Sequence, residues 1–132
     1  MKYSHLKTLL VDDDEVVQML VQRKLNSLGI ECSLASTGTE AIKALGKEIF
    51  DFIIMDINMP GQDGIDSVRW IRELVSPEKR DLPIFALTSF STKSHTVEIL
   101  NVGFNEHLTK SFDLNAFIPF LEKYFWKNAG KP

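Results

Sequence analysis

The sequence predicts a single-domain α/β fold, in which helices cover both faces of a five-stranded parallel sheet. Five short apolar segments are separated by stretches that are each long enough for a helix. Several of these stretches repeat apolar residues at intervals of three and four, as amphipathic helices do. Strand and helix therefore alternate five times, which predicts parallel strands joined by right-handed crossovers. The length of 132 residues is typical of one domain.

The predicted strands are residues 8–11, 32–35, 52–55, 84–87 and 106–109. The first is an apolar run that ends abruptly in three aspartates. This pattern is typical of a strand that is buried on both faces and whose carboxyl end opens to solvent. In open parallel sheets, ligands bind beyond these carboxyl ends, so we expect the functional site there.

The predicted helices are recognised by their spacing and by the residues at their ends. Asp14 and Asp113 are candidate N-caps of the first and last helices, and Gly29 follows the first helix where a glycine commonly ends one. The apolar positions are Val17, Leu20, Val21, Leu25 and Leu28 in the first helix, Ala41, Ile42 and Leu45 in the second, Ile65, Val68, Ile71 and Val75 in the third, and Leu114, Phe117, Ile118, Leu121 and Phe125 in the last.

The composition limits the function classes and the compartment. A net charge of -3 without a basic run argues against direct nucleic-acid binding. No signal sequence or membrane span precedes the first strand, and the single cysteine, Cys32, is expected to be a buried structural thiol in a reducing compartment. We expect a cytoplasmic protein whose residues 1–132 form one domain, with a core of about residues 6–125 and a frayed tail at 127–132.

Three acidic residues, one hydroxyl residue and one lysine follow the predicted strands. Asp12 and Asp13 follow the first strand, Asp56 the third, Thr88 the fourth and Lys110 the fifth. Carboxylates that meet at one edge repel one another unless a cation compensates them, and Mg²⁺ prefers such oxygen ligands. A hydroxyl and an ammonium group suit phosphate oxygens. The three histidines lack zinc-ligand spacing, and no glycine-rich phosphate loop is present.

Four ordered motifs carry a resemblance to a known family: LLVDDD at 9–14, DINMPGQDG at 56–64, ALTS at 86–89 and LTK at 108–110. Together they resemble the receiver domain of two-component response regulators, of the chemotaxis-regulator type. The resemblance covers roughly residues 6–125. It implies a flavodoxin-like (βα)5 sandwich with strand order 2-1-3-4-5.

The resemblance also implies a function in phosphorelay signal transduction. Asp56 would take a phosphoryl group from a sensor histidine kinase, a histidine phosphotransfer protein or a small acyl phosphate. The implied cofactor is Mg²⁺ or Mn²⁺, held by Asp13, Asp56 and the backbone carbonyl of Asn58, with Asp12 acting mainly through water. Such a domain is a signalling switch whose only chemistry is metal-dependent self-phosphorylation and autodephosphorylation. No direct contact with nucleic acid or membrane is expected.

The resemblance also implies a conformational switch that links the phosphorylation site to a face at the fifth strand. Thr88 and Lys110 would contact the phosphoryl oxygens, and Thr88 would then move inward. The ring at position 107 would follow, which changes the face formed by the fourth helix, the fifth strand and the fifth helix. Asn58 and Phe90 would control how fast water removes the phosphoryl group.

Three positions depart from the family pattern. His107 stands where the family usually has Tyr or Phe, so the switch is either weakened or pH-sensitive, or else any flat ring serves. Lys110 is followed by Ser111, where the family has proline, and a serine favours a trans peptide bond. A trans bond could point the lysine in a different direction, and phosphorylation would then be slower. The apolar ring of Phe90 predicts a long-lived phosphorylated state, the alternative being a loop residue without kinetic effect.

Two other functions are compatible with parts of the sequence. The segment 9–16 also resembles the start of haloacid-dehalogenase-type phosphatases, with Asp12 as nucleophile and Asp14 as acid-base, but Asp56 would then have no role. A docking pseudo-receiver that is never phosphorylated is the other alternative, against which the complete acidic set argues. Met1 favours a stand-alone regulator over a fragment of a larger regulator or hybrid kinase.

Overall fold

A computed structural model of the protein describes residues 2–57, 64–73, 81–89 and 100–126. Their five strands form one parallel sheet in the order β2-β1-β3-β4-β5. The strands are β1 (Lys7–Val11), β2 (Glu31–Ala35), β3 (Phe52–Asp56), β4 (Ile84–Thr88) and β5 (Glu106–Thr109). The predicted fold class and strand order are therefore confirmed, and each strand boundary lies within one residue of its prediction.

Helices lie on both faces of this sheet. They are α1 (Glu15–Ser27), α2 (Gly38–Lys47), α3 (Gly64–Arg72), a short helical segment at 100–102, here called α4, and α5 (Leu114–Leu121), which continues as a π-helical turn, Glu122–Trp126. Val21 and Leu25 of α1 and Phe117 of α5 bury their side chains in one core layer. Ala41 of α2 and Val68 of α3 belong to the other layer. The sheet therefore separates two apolar layers, as a doubly wound fold requires.

The helix ends follow the predicted capping chemistry. Asp14 and Asp113 are the N-caps of α1 and α5, and their carboxylates accept backbone N–H groups of the first turns. Gly29 has a φ of 83°, a left-handed conformation that a side chain disfavours. Its position lets the N–H of Ile30 donate to the carbonyl of Leu25 at 3.0 Å, which closes α1.

The buried face of α1 differs from the prediction at two positions. Leu20 was expected on the covered face but is 38% exposed, whereas Gln18 is buried. The buried residues of α1 are Gln18, Val21 and Leu25, spaced by three and four. A polar side chain can occupy this face because its amide is hydrogen-bonded there.

Arg72 joins several elements at the end of the sheet opposite the acidic residues. Its half-buried guanidinium donates to the carbonyls of Gly103 and Leu82 and to Oδ1 of Asn105, at 2.6 to 3.0 Å. Asn105 Oδ1 also accepts the N–H of Ile84 at 2.8 Å. One side chain thus ties the end of α3 to the starts of β4 and β5.

Three further expectations concern single residues or the chain ends. Cys32 is half-buried, and burial raises the pKa of its thiol to about 12. Val75 and the tail 127–132 lie outside the described residues. Within the described part of the chain, no helix combines the length and the apolar character that crossing a membrane requires.

Candidate functional site

Three carboxylates meet at the carboxyl end of the sheet. Asp56 is the last residue of β3, Asp12 follows β1 directly, and both side chains are fully buried. The N–H of Asp12 donates to the carbonyl of Ala35 at 3.0 Å, which prolongs the β1 to β2 pairing. Asp13 is exposed, and one oxygen of each carboxylate lies within 4.8 Å of the others. The convergence predicted for Asp12, Asp13 and Asp56 is therefore observed.

Asp12 is a fully buried carboxylate with incomplete hydrogen bonding among the described residues. Its Oδ1 accepts the N–H of Asp14 at 2.9 Å, whereas its buried Oδ2 has no hydrogen-bond donor among the described residues. Burial raises the pKa of Asp12 to about 6, and the charge of Asp56 adds to that rise, against the lowering effect of the Asp14 N–H. An unpaired buried carboxylate oxygen is costly unless a cation approaches it.

Lys110 supplies the positive charge of this site. Its N–H donates to the carbonyl of Thr88 at 3.0 Å, and its Nζ lies 3.0 Å from Asp56 Oδ2 and 3.9 Å from Asp12 Oδ2. Partial burial lowers the pKa of the ammonium, but the hydrogen bond to Asp56 and the charges of Asp12 and Asp56 outweigh it and raise the pKa. Lys110 therefore stays charged between the two buried carboxylates.

The absence of proline after Lys110 does not turn the lysine away from Asp56. The peptide bond between Lys110 and Ser111 is trans, and a tight turn follows, closed by the Phe112 N–H on the carbonyl of Thr109 at 2.9 Å. Phe112 has a φ of 52° and is fully buried. A left-handed non-glycine residue costs about 1–3 kcal/mol, so packing of the Phe112 ring holds it there.

Two polar residues of α1 contact the backbone around the site, and sequence reasoning missed both. Gln18 donates from Nε2 to the carbonyl of Asp12 at 2.6 Å. Lys24 donates from Nζ to the carbonyls of Ser111 and Phe112, each at 2.9 Å. The sequence did contain a signal for the burial of Gln18, because this residue lies three positions before Val21 on the covered face of the helix. It contained no signal for the contacts of Lys24, because a lysine in the last turn of a helix is common.

The two residues of the predicted switch lie on neighbouring strands. Thr88 is the last residue of β4 and is fully buried, and His107 is half-buried in β5. In the β4 to β5 register, Thr88 is opposite Thr109, and Ala86 is opposite His107. Because side chains alternate along strands, Thr88 and His107 point to the same face of the sheet.

Asn58 and Phe90 lie outside the described residues. The metal-binding carbonyl of Asn58 and the control of dephosphorylation by Asn58 and Phe90 remain predictions.

The residues present fit a hard divalent cation. Three carboxylates supply oxygen ligands within 4.8 Å of one another, and the buried Oδ2 of Asp12 has no hydrogen-bond donor among the described residues. Mg²⁺ is typically held by one or two carboxylates and keeps several waters, so that a site of this kind leaves room for a phosphate oxygen. No histidine or thiol belongs to this group of ligands, which disfavours zinc.

Comparison with known proteins agrees with this arrangement. Residues 8–122 match the family model of the response regulator receiver domain. The chain belongs to this family. It is 32% identical over 122 residues to the chemotaxis protein CheY-3 of Vibrio cholerae, with 92% of each chain covered. Receiver domains of this kind are the phosphoacceptor modules of two-component and phosphorelay systems.

Two solved structures extend the comparison to the fold. The chemotaxis response regulator CheY4 of Vibrio cholerae has a TM-score of 0.80 at 30% identity, with 91% of this chain and 98% of that chain covered. The receiver domain of the sensor histidine kinase PA1611 of Pseudomonas aeruginosa has a TM-score of 0.78 at 30% identity, covering 90% and 96%, and contains a magnesium ion in its active-site cleft.

These findings define the functional class of the chain. It is a signalling receiver domain and not a classical enzyme, and receiver domains of its family bind Mg²⁺ and occur in response regulators and sensor kinases. The haloacid-dehalogenase-like phosphatase and the pseudo-receiver find no support in these comparisons.

Proposed function

We propose that Asp56 is the phosphoryl acceptor of this receiver domain. The observation that carries the proposal is the contact of Asp56 with Lys110, 3.0 Å from Oδ2 to Nζ, where the three carboxylates meet. The metal ligands in this proposal are Asp12, Asp13, Asp56 and the backbone carbonyl of Asn58, with Asp12 acting mainly through water.

The proposed reaction is an in-line displacement at phosphorus. An oxygen of Asp56 forms a bond to the phosphorus atom, while the bond to the donor's histidine nitrogen or acyl oxygen breaks and the leaving group takes its electron pair. The ammonium of Lys110 neutralises charge on the entering group, and the Thr88 hydroxyl donates to a phosphoryl oxygen. Bound Mg²⁺ supplies the positive charge that lets an anionic phosphoryl group approach the carboxylates.

The experiment that tests the acceptor is mass mapping after incubation with acetyl phosphate and MgCl₂. We expect one added phosphoryl group on Asp56, absent in Asp56→Asn and in EDTA. Asp13→Asn keeps the acceptor and is expected to be phosphorylated more slowly, because it removes only a metal ligand. A phosphoryl group on Asp12, or rapid turnover of an external phosphate ester, would contradict the proposal.

The second part of the proposal concerns the output face. Phosphorylation shifts Thr88 inward and His107 with it, which alters α4, β5 and α5. His107 lies beside a groove of about 290 Å³ that Thr109, Asp113 and Ala116 also line. A partner protein bound in this groove would contact the His107 ring and would therefore be sensitive to its movement.

His107→Tyr tests whether any flat ring serves at this position. If it does, we expect the same phosphorylation-induced NMR shifts of residues 106–121 in the wild type and the variant. A difference between the two proteins would show that the imidazole itself contributes to the switch.

The partners follow from the chemistry of the acceptor. The donor is a sensor histidine kinase or a histidine phosphotransfer protein, and the target is a protein that recognises the output face. The lifetime of the phosphorylated state, controlled by Asn58 and Phe90, and the cytoplasmic location remain expectations from the sequence.

A further inference from the structure

The direction of the Lys110 side chain depends on the short segment that follows it. Lys110 and Ser111 are the central residues of the turn closed by the Phe112 N–H on the carbonyl of Thr109. The hydroxyl groups of Thr109 and Ser111 lie 2.8 Å apart and brace this turn. Its backbone torsions set where Lys110 Nζ points.

Lys24 holds the far half of this turn from another element. Its Nζ donates to the carbonyls of Ser111 and Phe112, both at 2.9 Å. One ammonium group between two successive carbonyls fixes the orientation of two successive peptide planes. These planes flank Phe112, so the hydrogen bonds of Lys24 add to the ring packing that holds its left-handed φ of 52°.

The helical turn that carries Lys24 is anchored in the core by its neighbour Leu25. Lys24 lies in the last turn of α1, beside Leu25, which is fully buried in the core layer under α1 and α5. The neighbouring Phe112 ring packs on Phe117 of α5 with ring centroids 4.8 Å apart. The turn is therefore held between two helices that the core already fixes.

We propose that Lys24 is a positioning residue for phosphoryl transfer, which keeps Lys110 aimed at Asp56 by clamping the turn 109–112. The proposal rests on the proposed function of Asp56 and Lys110. It adds a residue that contacts neither the phosphoryl group nor the metal and acts only through the backbone. Small misplacements of a catalytic group are known to cost large factors in rate.

The test compares phosphorylation rates in three variants. Lys24→Met keeps the aliphatic stem but removes both hydrogen bonds, Lys24→Arg keeps charge and donors, and Lys47→Met is the control, an exposed lysine in the last turn of α2. With saturating acetyl phosphate and MgCl₂, we expect a roughly 10-fold lower rate for Lys24→Met and a rate within about 2-fold of wild type for the other two.

Two further measurements separate positioning from a merely structural role. The dissociation constant for Mg²⁺, measured by calorimetry, is expected to stay within about 2-fold of wild type in Lys24→Met, because Lys24 donates to the carbonyls of Ser111 and Phe112 and to none of the three carboxylates. Hydrogen exchange of the Phe112 amide is expected to be faster in that variant. If its melting temperature falls by more than about 5 °C, Lys24→Gln, which is too short to bridge both carbonyls, replaces it with the same expected results.

The outcomes distinguish this inference from the function on which it rests. A wild-type protein that acetyl phosphate does not phosphorylate on Asp56 refutes the proposed function. Wild-type phosphorylation with an equal rate in Lys24→Met refutes the role of Lys24 alone. An equal loss of Mg²⁺ affinity and rate in Lys24→Met would also overturn it, because the lysine would then support the whole site and not the aim of Lys110.

Discussion

Replacing Asp12 by asparagine is expected to stabilise the metal-free protein at neutral pH. The side chain is fully buried, and its Oδ2 has no hydrogen-bond donor among the described residues. An asparagine keeps the shape and the oxygen that accepts the Asp14 N–H at 2.9 Å. It removes the charge that burial and Asp56 oppose.

The magnitude follows from the pKa of Asp12. Burial raises this pKa from 3.8 to about 6, a shift of about 2 units that corresponds to about 3 kcal/mol. Because the folded state binds the proton more tightly, the contribution of Asp12 is fully stabilising below pH 3.8 and is lost as the pH rises through about 6. The variant lacks this titration, so its advantage should grow by about 1–3 kcal/mol between pH 4 and pH 7.

Urea unfolding followed by circular dichroism in EDTA measures this difference at several pH values between 4 and 7.5. Asp13→Asn makes the same change in net charge at an exposed position and should show a much smaller pH-dependent gain. Saturating MgCl₂ should reduce or reverse this difference, since the cation should bind the folded wild type more tightly than a variant that has lost one carboxylate. A constant stability difference at all pH values, or equal gains in both variants, would refute the reasoning.

Three other predictions concern side chains away from the acceptor. Arg72→Met should lower the free energy of unfolding by about 2–4 kcal/mol in urea titrations, because it removes the guanidinium donor from the partly buried carbonyls of Gly103 and Leu82, whereas Arg69→Met on the exposed side of α3 should change it by less than about 0.5 kcal/mol. Gln18→Leu should weaken Mg²⁺ binding in calorimetry at least 3-fold. Gln22→Leu, which removes a similar hydrogen bond of α1 to β2, should not weaken it. Cys32, whose thiol has a pKa raised to about 12 by burial, should react with a disulfide reagent at pH 8 at least 100-fold more slowly in the folded protein than in urea.

The fold was predictable because local patterns and tertiary structure agree. Continuous apolar runs gave the central strands β1, β3 and β4, which are buried on both faces. The edge strands β2 and β5 are partly exposed and were placed by the alternation of strands and helices. The caps Asp14 and Asp113 and the terminator Gly29 were also correct, because their chemistry acts within a few residues. The wrong position, Leu20, came from treating every apolar residue of α1 as part of one stripe.

The sequence predicted the residues at the strand ends of the candidate site, but not the α1 side chains that hold the surrounding backbone. Asp12, Asp13, Asp56, Thr88 and Lys110 could be placed together because strand ends of a parallel sheet share one edge. Gln18 and Lys24 donate to backbone carbonyls 6 and 87 or more residues away along the chain. Such contacts depend on the final packing of helices, which no local pattern encodes.

The charge balance of the site explains why the metal and the lysine have separate roles. Three carboxylates and one ammonium leave two negative charges, which one divalent cation would neutralise. Lys110 cannot serve all three carboxylates, because its Nζ is 3.0 Å from Asp56 but already 3.9 Å from Asp12. Its hydrogen bond goes to the proposed acceptor, while the oxygen left unpaired belongs to Asp12. The geometry therefore places the lysine on the proposed acceptor, Asp56, and leaves the remaining negative charge to a cation.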